Sequence, residues 1–99
     1  MFSLENSATA DEQLSLLRAD RSAPQRHYKA VSKALRLLVQ NPRHPSLQTH
    51  EWVSELCPHG HKLWEAYAEN QTSGAYRIFF CYAPGRPRVL CIVAITAHP

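Results

Sequence analysis

Three short runs of strand-forming residues, separated by turn residues, limit what this chain can fold into more than any other feature. The first run, Lys62 to Asn70, alternates between two sets of side chains, which is typical of a half-buried strand. The second run, Ala75 to Tyr82, and the third, Val89 to Ile95, are aromatic, β-branched and apolar. Ser73-Gly74 and Pro84-Gly85 supply turn chemistry between the runs. The pattern predicts an antiparallel meander of three strands.

Two amphipathic helices are predicted upstream of the meander. Thr9-Ala-Asp-Glu12 has the form of a capping box, and a first helix should follow from about Ala10 to about Asp20. Ser22-Ala-Pro-Gln25 restarts the pattern, because proline fits a first helical turn but not a helix interior, and a second helix should run to about Gln40. Its apolar positions recur at spacings of three and four, at Tyr28, Val31, Leu35 and Leu38. We expect this helical hairpin to cover one face of the sheet.

The remaining segments complete the expected fold class. Met1 to Asn6 contains a brief alternation that predicts a short strand at one side of the sheet. His44 to Gly60 is interpreted as a long connection, with a helical turn near Glu51 to Leu56. The 99 residues therefore predict one α+β domain, in which a helical hairpin packs on a twisted antiparallel sheet of three or four strands. The predicted order is β-α-α-β-β-β.

The cysteine pattern favours an intracellular protein. Cys57, Cys81 and Cys91 cannot all pair with one another, and the last two lie inside predicted strands, where cysteine usually acts as a small buried hydrophobe. That usage is typical of a reducing cytoplasm. No apolar run has the length needed to cross a bilayer, and the N-terminus lacks a signal-peptide pattern. We expect a cytoplasmic protein with no membrane partner.

A basic segment lies between two acidic ones. The stretch from Arg21 to His50 holds six lysine or arginine residues and no aspartate or glutamate, within a chain of formal net charge +3. On the second helix the cations share one face, which we call the basic stripe: Arg26, Lys29, Lys33 and Arg36. This arrangement indicates a polyanion such as RNA, or an acidic protein, as a partner. A solvated helix face is the alternative interpretation.

The order of elements and four motifs resemble one known family over the whole chain. The motifs are Asn41-Pro-Arg-His-Pro-Ser-Leu47, Leu63-Trp-Glu-Ala-Tyr67, Ala75-Tyr-Arg-Ile-Phe-Phe80 and Ile95-Thr-Ala-His98. Together they resemble the RelE/ParE superfamily of bacterial toxins from type II toxin–antitoxin pairs. The RelE and YoeB branch of that family cuts messenger RNA on the ribosome without a metal or other cofactor. The ParE branch inhibits DNA gyrase and cuts nothing, and antitoxins neutralise both branches.

The resemblance implies roles for particular residues. Metal-free RNA cleavage needs a base for the 2′-hydroxyl, an acid for the leaving 5′-oxygen and a cation for the phosphate. Arg77 would be the phosphate clamp, His98 the general acid, Glu65 the base and Lys62 a second cation. Tyr67 or Tyr76 could stack on a base, and the basic stripe could bind RNA phosphates. An alternative is that the strand arginine pairs with Glu65 or Glu69 for structural reasons only.

Cys57-Pro-His59-Gly-His61 has spacings that occur in zinc sites. A fourth ligand would have to come from His44 or His50, and no second paired motif exists, so we favour a polar loop near the substrate groove and no bound metal.

The sequence thus predicts the toxin of a toxin–antitoxin pair, a ribosome-associated endoribonuclease that binds a cognate antitoxin and in which a homodimer is conceivable. Two alternatives stay open. One is a ParE-like gyrase inhibitor. The other is an inactive interaction module, motivated by the reduced number of strand cations where Ala66, Tyr67 and Thr96 stand.

Overall fold

The computed structural model describes residues 1–20, 25–70 and 73–99, and its element order extends the predicted one by a strand. The predicted break at Ser22-Ala-Pro lies outside the described residues. The helices are α1 (Ala8–Ala19) and α2 (Arg26–Gln40), with a short 3-10 turn at Pro45–Leu47. The strands are β1 (Ser3–Asn6), β2 (His50–Leu56), β3 (Lys62–Tyr67), β4 (Tyr76–Tyr82) and β5 (Val89–Ala97).

The five strands form one mixed sheet in the order β1-β5-β4-β3-β2. The predicted meander is confirmed, because β3, β4 and β5 pair antiparallel along the chain. The predicted N-terminal strand is also confirmed: β1 pairs in parallel with β5, with Ser3 opposite Val89. The α+β class is therefore as predicted, and the sheet has five strands rather than three or four.

The additional strand is β2, where a connection with a helical turn near Glu51 to Leu56 was predicted. That prediction is wrong, because the segment pairs antiparallel with β3 and places His50 opposite Glu65 and Trp52 opposite Leu63. A bulge between Trp52 and Leu56 shifts the register and interrupts the alternation that would have identified a strand. Pairing with a neighbour decides the structure here, and local preference does not.

Helix α1 begins earlier than the capping-box motif predicts. Its N-cap is Ser7, whose Oγ accepts a 3.0 Å hydrogen bond from the Ala10 backbone. The same hydroxyl donates to the Val93 carbonyl at 2.8 Å. Thr9 therefore lies inside the helix, and the predicted capping box is replaced by a cap that also attaches the helix to β5. Ser7 satisfies both partners at once, which explains why it is the cap.

The helices cover one face of the sheet, as predicted. Val31, Ala34 and Leu38 of α2 pack with Ile78 and Phe80 of β4, among other core residues of all layers. The basic stripe points away from this core, and each of its four side chains is exposed. Among the described residues, none of the helices is long and apolar enough to cross a membrane.

A smaller apolar cluster lies on the face of the sheet opposite the helices, which we call the helix-free face. Leu63, Phe79 and Cys81 are buried there, with Trp52 packed against them. Cys81 is buried as predicted, but it forms a disulfide with Cys57 rather than acting as a free hydrophobe. Cys57 directly follows β2 and Cys81 lies in β4, and their Cα atoms are 6.5 Å apart, within the range that a disulfide spans. Cys91 is free.

Candidate functional site

Polar side chains meet on the helix-free face where β2, β3 and β4 lie side by side. Strand alternation puts Glu65 and Tyr67 of β3 on this face, and the register places Tyr67 opposite Arg77 of β4. His50 of β2 lies opposite Glu65. We call His50, Glu65, Tyr67 and Arg77 the Glu65 cluster. Three consecutive strands thus bring a carboxylate, an imidazole, a phenol and a guanidinium together.

Glu65 is the buried centre of this cluster. Only 2% of its surface is exposed, and it is the single charged residue in the core of the described chain. Its Oε2 accepts from Arg77 Nη1 at 3.0 Å, and its Oε1 lies 2.7 Å from His50 Nε2. The Tyr67 hydroxyl is also hydrogen-bonded to it. A buried charge requires such partners, because an unpaired one would cost several kcal/mol.

The environment changes the acidity of Tyr67. Burial raises its pKa above the ordinary value, and the negative charge of Glu65 and the hydrogen bond to that carboxylate raise it further, while Arg77 opposes them. The phenol consequently keeps its proton over the physiological range and acts as a donor. Its ring also lies beside the His50 ring, with centroids 5.4 Å apart.

His50 has an acceptor at each ring nitrogen. Nε2 faces the Glu65 carboxylate, and Nδ1 lies 3.0 Å from the Gln48 carbonyl oxygen. Neither acceptor can donate, so both hydrogen bonds form together only when the imidazole carries two protons. The side chain is 43% exposed, so one edge of the ring is accessible from solvent.

Arg77 is held by aromatic rings as well as by Glu65. Its guanidinium carbon lies 5.4 Å from the Trp52 ring centroid and 4.9 Å from that of Phe79. Among the described residues, its Nε is buried and has no hydrogen-bond partner. An unsatisfied buried donor costs about 1–3 kcal/mol, which an incoming acceptor would recover. Arg77 also lines a cavity of about 230 Å³, so such an acceptor has a route toward it.

The other predicted site residues lie away from the Glu65 cluster. Lys62 is 66% exposed, and its Nζ lies 3.7 Å from Glu51 Oε1. It precedes Glu65 by three positions in β3, so the two residues lie on opposite faces of the strand. Tyr76 faces the helices, where its ring contacts His27. The basic stripe lies on the outer side of α2, and its Lys33 lines a cavity of about 90 Å³ together with Tyr67 of the cluster.

His98 lies at the far end of β5. Its backbone N–H donates to Ala75, four residues along β4 from Phe79, which is the partner of Glu65. With roughly 3.4 Å per residue and about 4.8 Å per strand, the Cα atoms of His98 and Glu65 are about 17 Å apart, and His98 and His50 are roughly 20 Å apart. His98 Nδ1 contacts only the neighbouring Pro99 oxygen in the described structure.

Glu69, the other predicted structural partner of the strand arginine, is engaged elsewhere. Its Oε1 accepts from the Tyr76 backbone at 2.8 Å and lies 2.8 Å from His27 Nδ1. Cys57 is bonded to Cys81, so its sulfur is not a free thiolate for a metal. The described part of the chain holds no group of three or more side chains arranged to bind one.

His50 is the functional candidate that the sequence did not identify as catalytic. It was considered only as a zinc ligand, because the segment that carries it was interpreted as a connection. The signal that identifies it is the pairing of β2 with β3, which places it opposite Glu65. The sequence of β2 has no regular alternation of apolar residues that would predict this pairing.

Comparison with known proteins identifies the fold. The chain matches no protein-family model and no curated protein sequence. Its structure is similar to the crystal structure of YafQ from E. coli strain BL21(DE3), with a TM-score of 0.62 and 12% identity, over 98% of this chain and 93% of that one. It is also similar to the solution structure of the conserved hypothetical protein HP0892 from Helicobacter pylori, with a TM-score of 0.55 and 17% identity, over 99% and 96% of the two chains. The fold is RelE-like, as the sequence resemblance implied.

Proposed function

We propose that this chain is the toxin of a toxin–antitoxin pair and that it cleaves messenger RNA on the ribosome without a metal. The observation that carries the proposal is the Glu65 cluster, a buried carboxylate with two basic side chains on the face of the sheet that the helices leave uncovered. The RelE-like fold and its likeness to YafQ, a toxin of the RelE family, support it. A fold alone carries many activities, so the chemistry is argued from the site.

The negative charge that builds on the scissile phosphate needs a fixed cation. Arg77 supplies it, because one nitrogen is anchored by Glu65 while other N–H groups of the guanidinium remain to donate to phosphate oxygens. Two aromatic rings fix the plane of the guanidinium before the substrate arrives. Preorganised donors of this kind are usually the largest contribution to such catalysis.

We assign the proton transfer to His50. The imidazole is partly exposed and has a carboxylate behind it that fixes its orientation, which is the arrangement that general acid–base catalysis uses. Glu65 was predicted as the base itself, yet both of its oxygens are occupied and it is nearly inaccessible. In this proposal Glu65 therefore positions His50 and Arg77, and Tyr67 contributes a hydroxyl donor beside them.

The family resemblance implies that His98 is the general acid, and this role remains a prediction. By the strand spacings, the Cα atom of His98 lies roughly 20 Å from that of His50 and about 8 Å from that of Arg77, because Thr96 is the partner of Arg77. His98→Gln should leave cleavage intact if His50 carries the proton transfer alone. Lys62 as a second cation and Tyr76 as a ring that stacks on a base stay predictions of the same kind.

We assign the basic stripe to binding a partner and not to the cleavage step. Four exposed cations on one helix face would attract a polyanion, so ribosomal RNA or an acidic antitoxin segment is the fitting partner. Binding through phosphates would weaken steeply with salt.

The test is cleavage of messenger RNA in a purified translation system, with the RNA ends mapped by primer extension. The wild type should produce new ends, and Arg77→Ala and His50→Gln should abolish most of them. Arg86→Ala and His59→Gln are matched controls, because both residues are exposed and lie outside the cluster. Circular dichroism should show that every variant is folded. Identical RNA ends from wild type and from both cluster variants would refute the assignment.

A ParE-like inhibitor of DNA gyrase is the second candidate, and the outward basic stripe favours it, since a binding protein needs a charged surface but no catalytic groups. Pulse labelling after induced expression separates the two. Protein synthesis should stop first if the chain cuts messenger RNA, and DNA synthesis should stop first if it acts on gyrase.

A further inference from the structure

The cavity beside Arg77 has no role in the chemistry proposed above. It holds about 230 Å³ and opens on the helix-free face. Its walls are mostly apolar and aromatic, from Trp52, Leu63, Phe79 and Val93. Pockets for drug-sized ligands usually exceed about 300 Å³, so this one suits a single flat ring system rather than a whole nucleotide.

One carboxylate stands among these apolar walls without a partner. Glu55 lines the cavity, and no described residue forms a hydrogen bond or ion pair with it. It belongs to the bulge between Trp52 and Leu56, where β2 departs from regular pairing. By contrast, Glu51 on the same strand pairs with Lys62, and Glu65 is fully occupied. An apolar cavity lined by one exposed and unpaired carboxylate can hold a ring that carries donors along one edge.

We propose that this cavity holds a guanine base of the bound RNA and that Glu55 reads its Watson–Crick edge. The inference rests on the proposed function and names the base that the site selects. Guanine presents two adjacent donors, N1–H and the N2 amino group, which match the two oxygens of a carboxylate. Adenine and cytosine place an acceptor beside their amino group, and uracil flanks its single N–H with two carbonyls. Each of those would set a lone pair against a carboxylate oxygen.

The position of the cavity ties the base to the cleavage step. Arg77 lines the cavity and is also bonded to Glu65, so the guanidinium belongs both to the base site and to the Glu65 cluster. A nucleotide whose base enters the cavity therefore brings its own phosphate to the clamp. Bases of single-stranded RNA are commonly recognised in this way, between aromatic or apolar side chains with hydrogen bonds to one edge.

The first experiment measures binding of the four nucleoside 3′-monophosphates to the purified protein by isothermal titration calorimetry. Guanosine 3′-monophosphate should bind about 10- to 100-fold more tightly than the other three, the discrimination typical of a bidentate contact to a base. Glu55→Gln should remove most of this preference, because an amide offers one acceptor and one donor. Glu51→Gln is the matched control and should keep it. Equal affinity for all four nucleotides, or a preference that survives Glu55→Gln, overturns the proposal.

The second experiment separates this inference from the proposed function. The cut sites mapped in the translation system should lie next to guanosine in the wild type and spread to other bases in Glu55→Gln. Cleavage without enrichment at guanosine would overturn the base assignment while the nuclease function stands. A guanosine preference in binding, together with no cleavage of any RNA, would overturn the nuclease function while the base site stands.

Discussion

Replacing Arg77 by methionine tests whether the buried charge of Glu65 depends on Arg77 for its stability. Methionine keeps much of the side-chain volume and removes the charge. Glu65, of which 2% is exposed, would then keep only His50 and Tyr67 as partners. Removing one member of a buried ion pair typically costs about 3–5 kcal/mol, because the remaining charge stays in an apolar environment.

That magnitude is large for a chain of 99 residues. A domain of this size has a free energy of unfolding of about 5–15 kcal/mol, so Arg77→Met should lose a substantial share of it. Each kcal/mol lowers the midpoint of thermal unfolding by about 4–8 °C at this length, which predicts a drop of at least about 12 °C. Arg86→Met is the control, since it breaks an exposed pair with Glu5 and should leave the midpoint within error.

The double variant Glu65→Leu/Arg77→Met should recover most of the lost stability. Both buried charges are then gone, and replacing a buried pair by apolar residues is often neutral or stabilising. His50 is exposed enough to bond to water instead of Glu65. Urea unfolding followed by tryptophan fluorescence measures all three variants, and the messenger RNA assay measures their activity. We expect the double variant to be stable and inactive.

Two results would refute this reasoning. A cost below about 1 kcal/mol for Arg77→Met would mean that Glu65 is not a buried charge that depends on Arg77. Cleavage by the double variant would mean that the pair serves the fold and not the chemistry, which is the structural alternative for this arginine.

Three further predictions concern stability, and each is checked by urea unfolding. Reduction of the disulfide, or Cys57→Ser with Cys81→Ser, should cost about 3.5 kcal/mol by the chain-entropy estimate for a separation of 24 residues; an unchanged midpoint with and without dithiothreitol would contradict it. Ser7→Ala should lower the free energy of unfolding by about 1 kcal/mol because the N-cap is lost, while Thr9→Ala should change it little. A larger effect of Thr9→Ala would mean that Thr9 is the cap, as the capping-box motif predicts. Because burial raises the pKa of Tyr67, the folded state holds that proton more tightly than the unfolded chain, so stability should fall as pH rises above about 10, and less so in Tyr67→Phe.

The sequence predicts the meander because β3 and β4 each alternate or stay apolar over their whole length, and turn residues separate them. It does not predict β2, because a strand with a bulge loses the period of two after Trp52. What holds β2 in place is its pairing with β3, and this is a property of two segments together. Single-segment periodicity carries no information about it.

The candidate site divides in the same way. Glu65 and Arg77 lie on strands that the sequence places correctly, and the resemblance assigns both to the site. His50 joins them only through β2, so its role follows from the register and not from its neighbours in sequence. The disulfide is similar, since three cysteines allow several pairings and only the packing of β4 beside the β2–β3 hairpin selects one.

The parallel pairing of β1 with β5 has a consequence for when the protein becomes folded during its synthesis. Ser3 pairs with Val89, and Ser7 bonds to Val93 across a sequence separation of 86 residues. β1, which leaves the ribosome first, therefore has no partner strand until β5, the last of the five, has been synthesised. Contacts between such distant segments slow folding, because the whole intervening chain must be ordered to close them. We expect the nascent chain to stay incomplete, with the buried side of α1 uncovered, until β5 emerges, because α1 packs on β5.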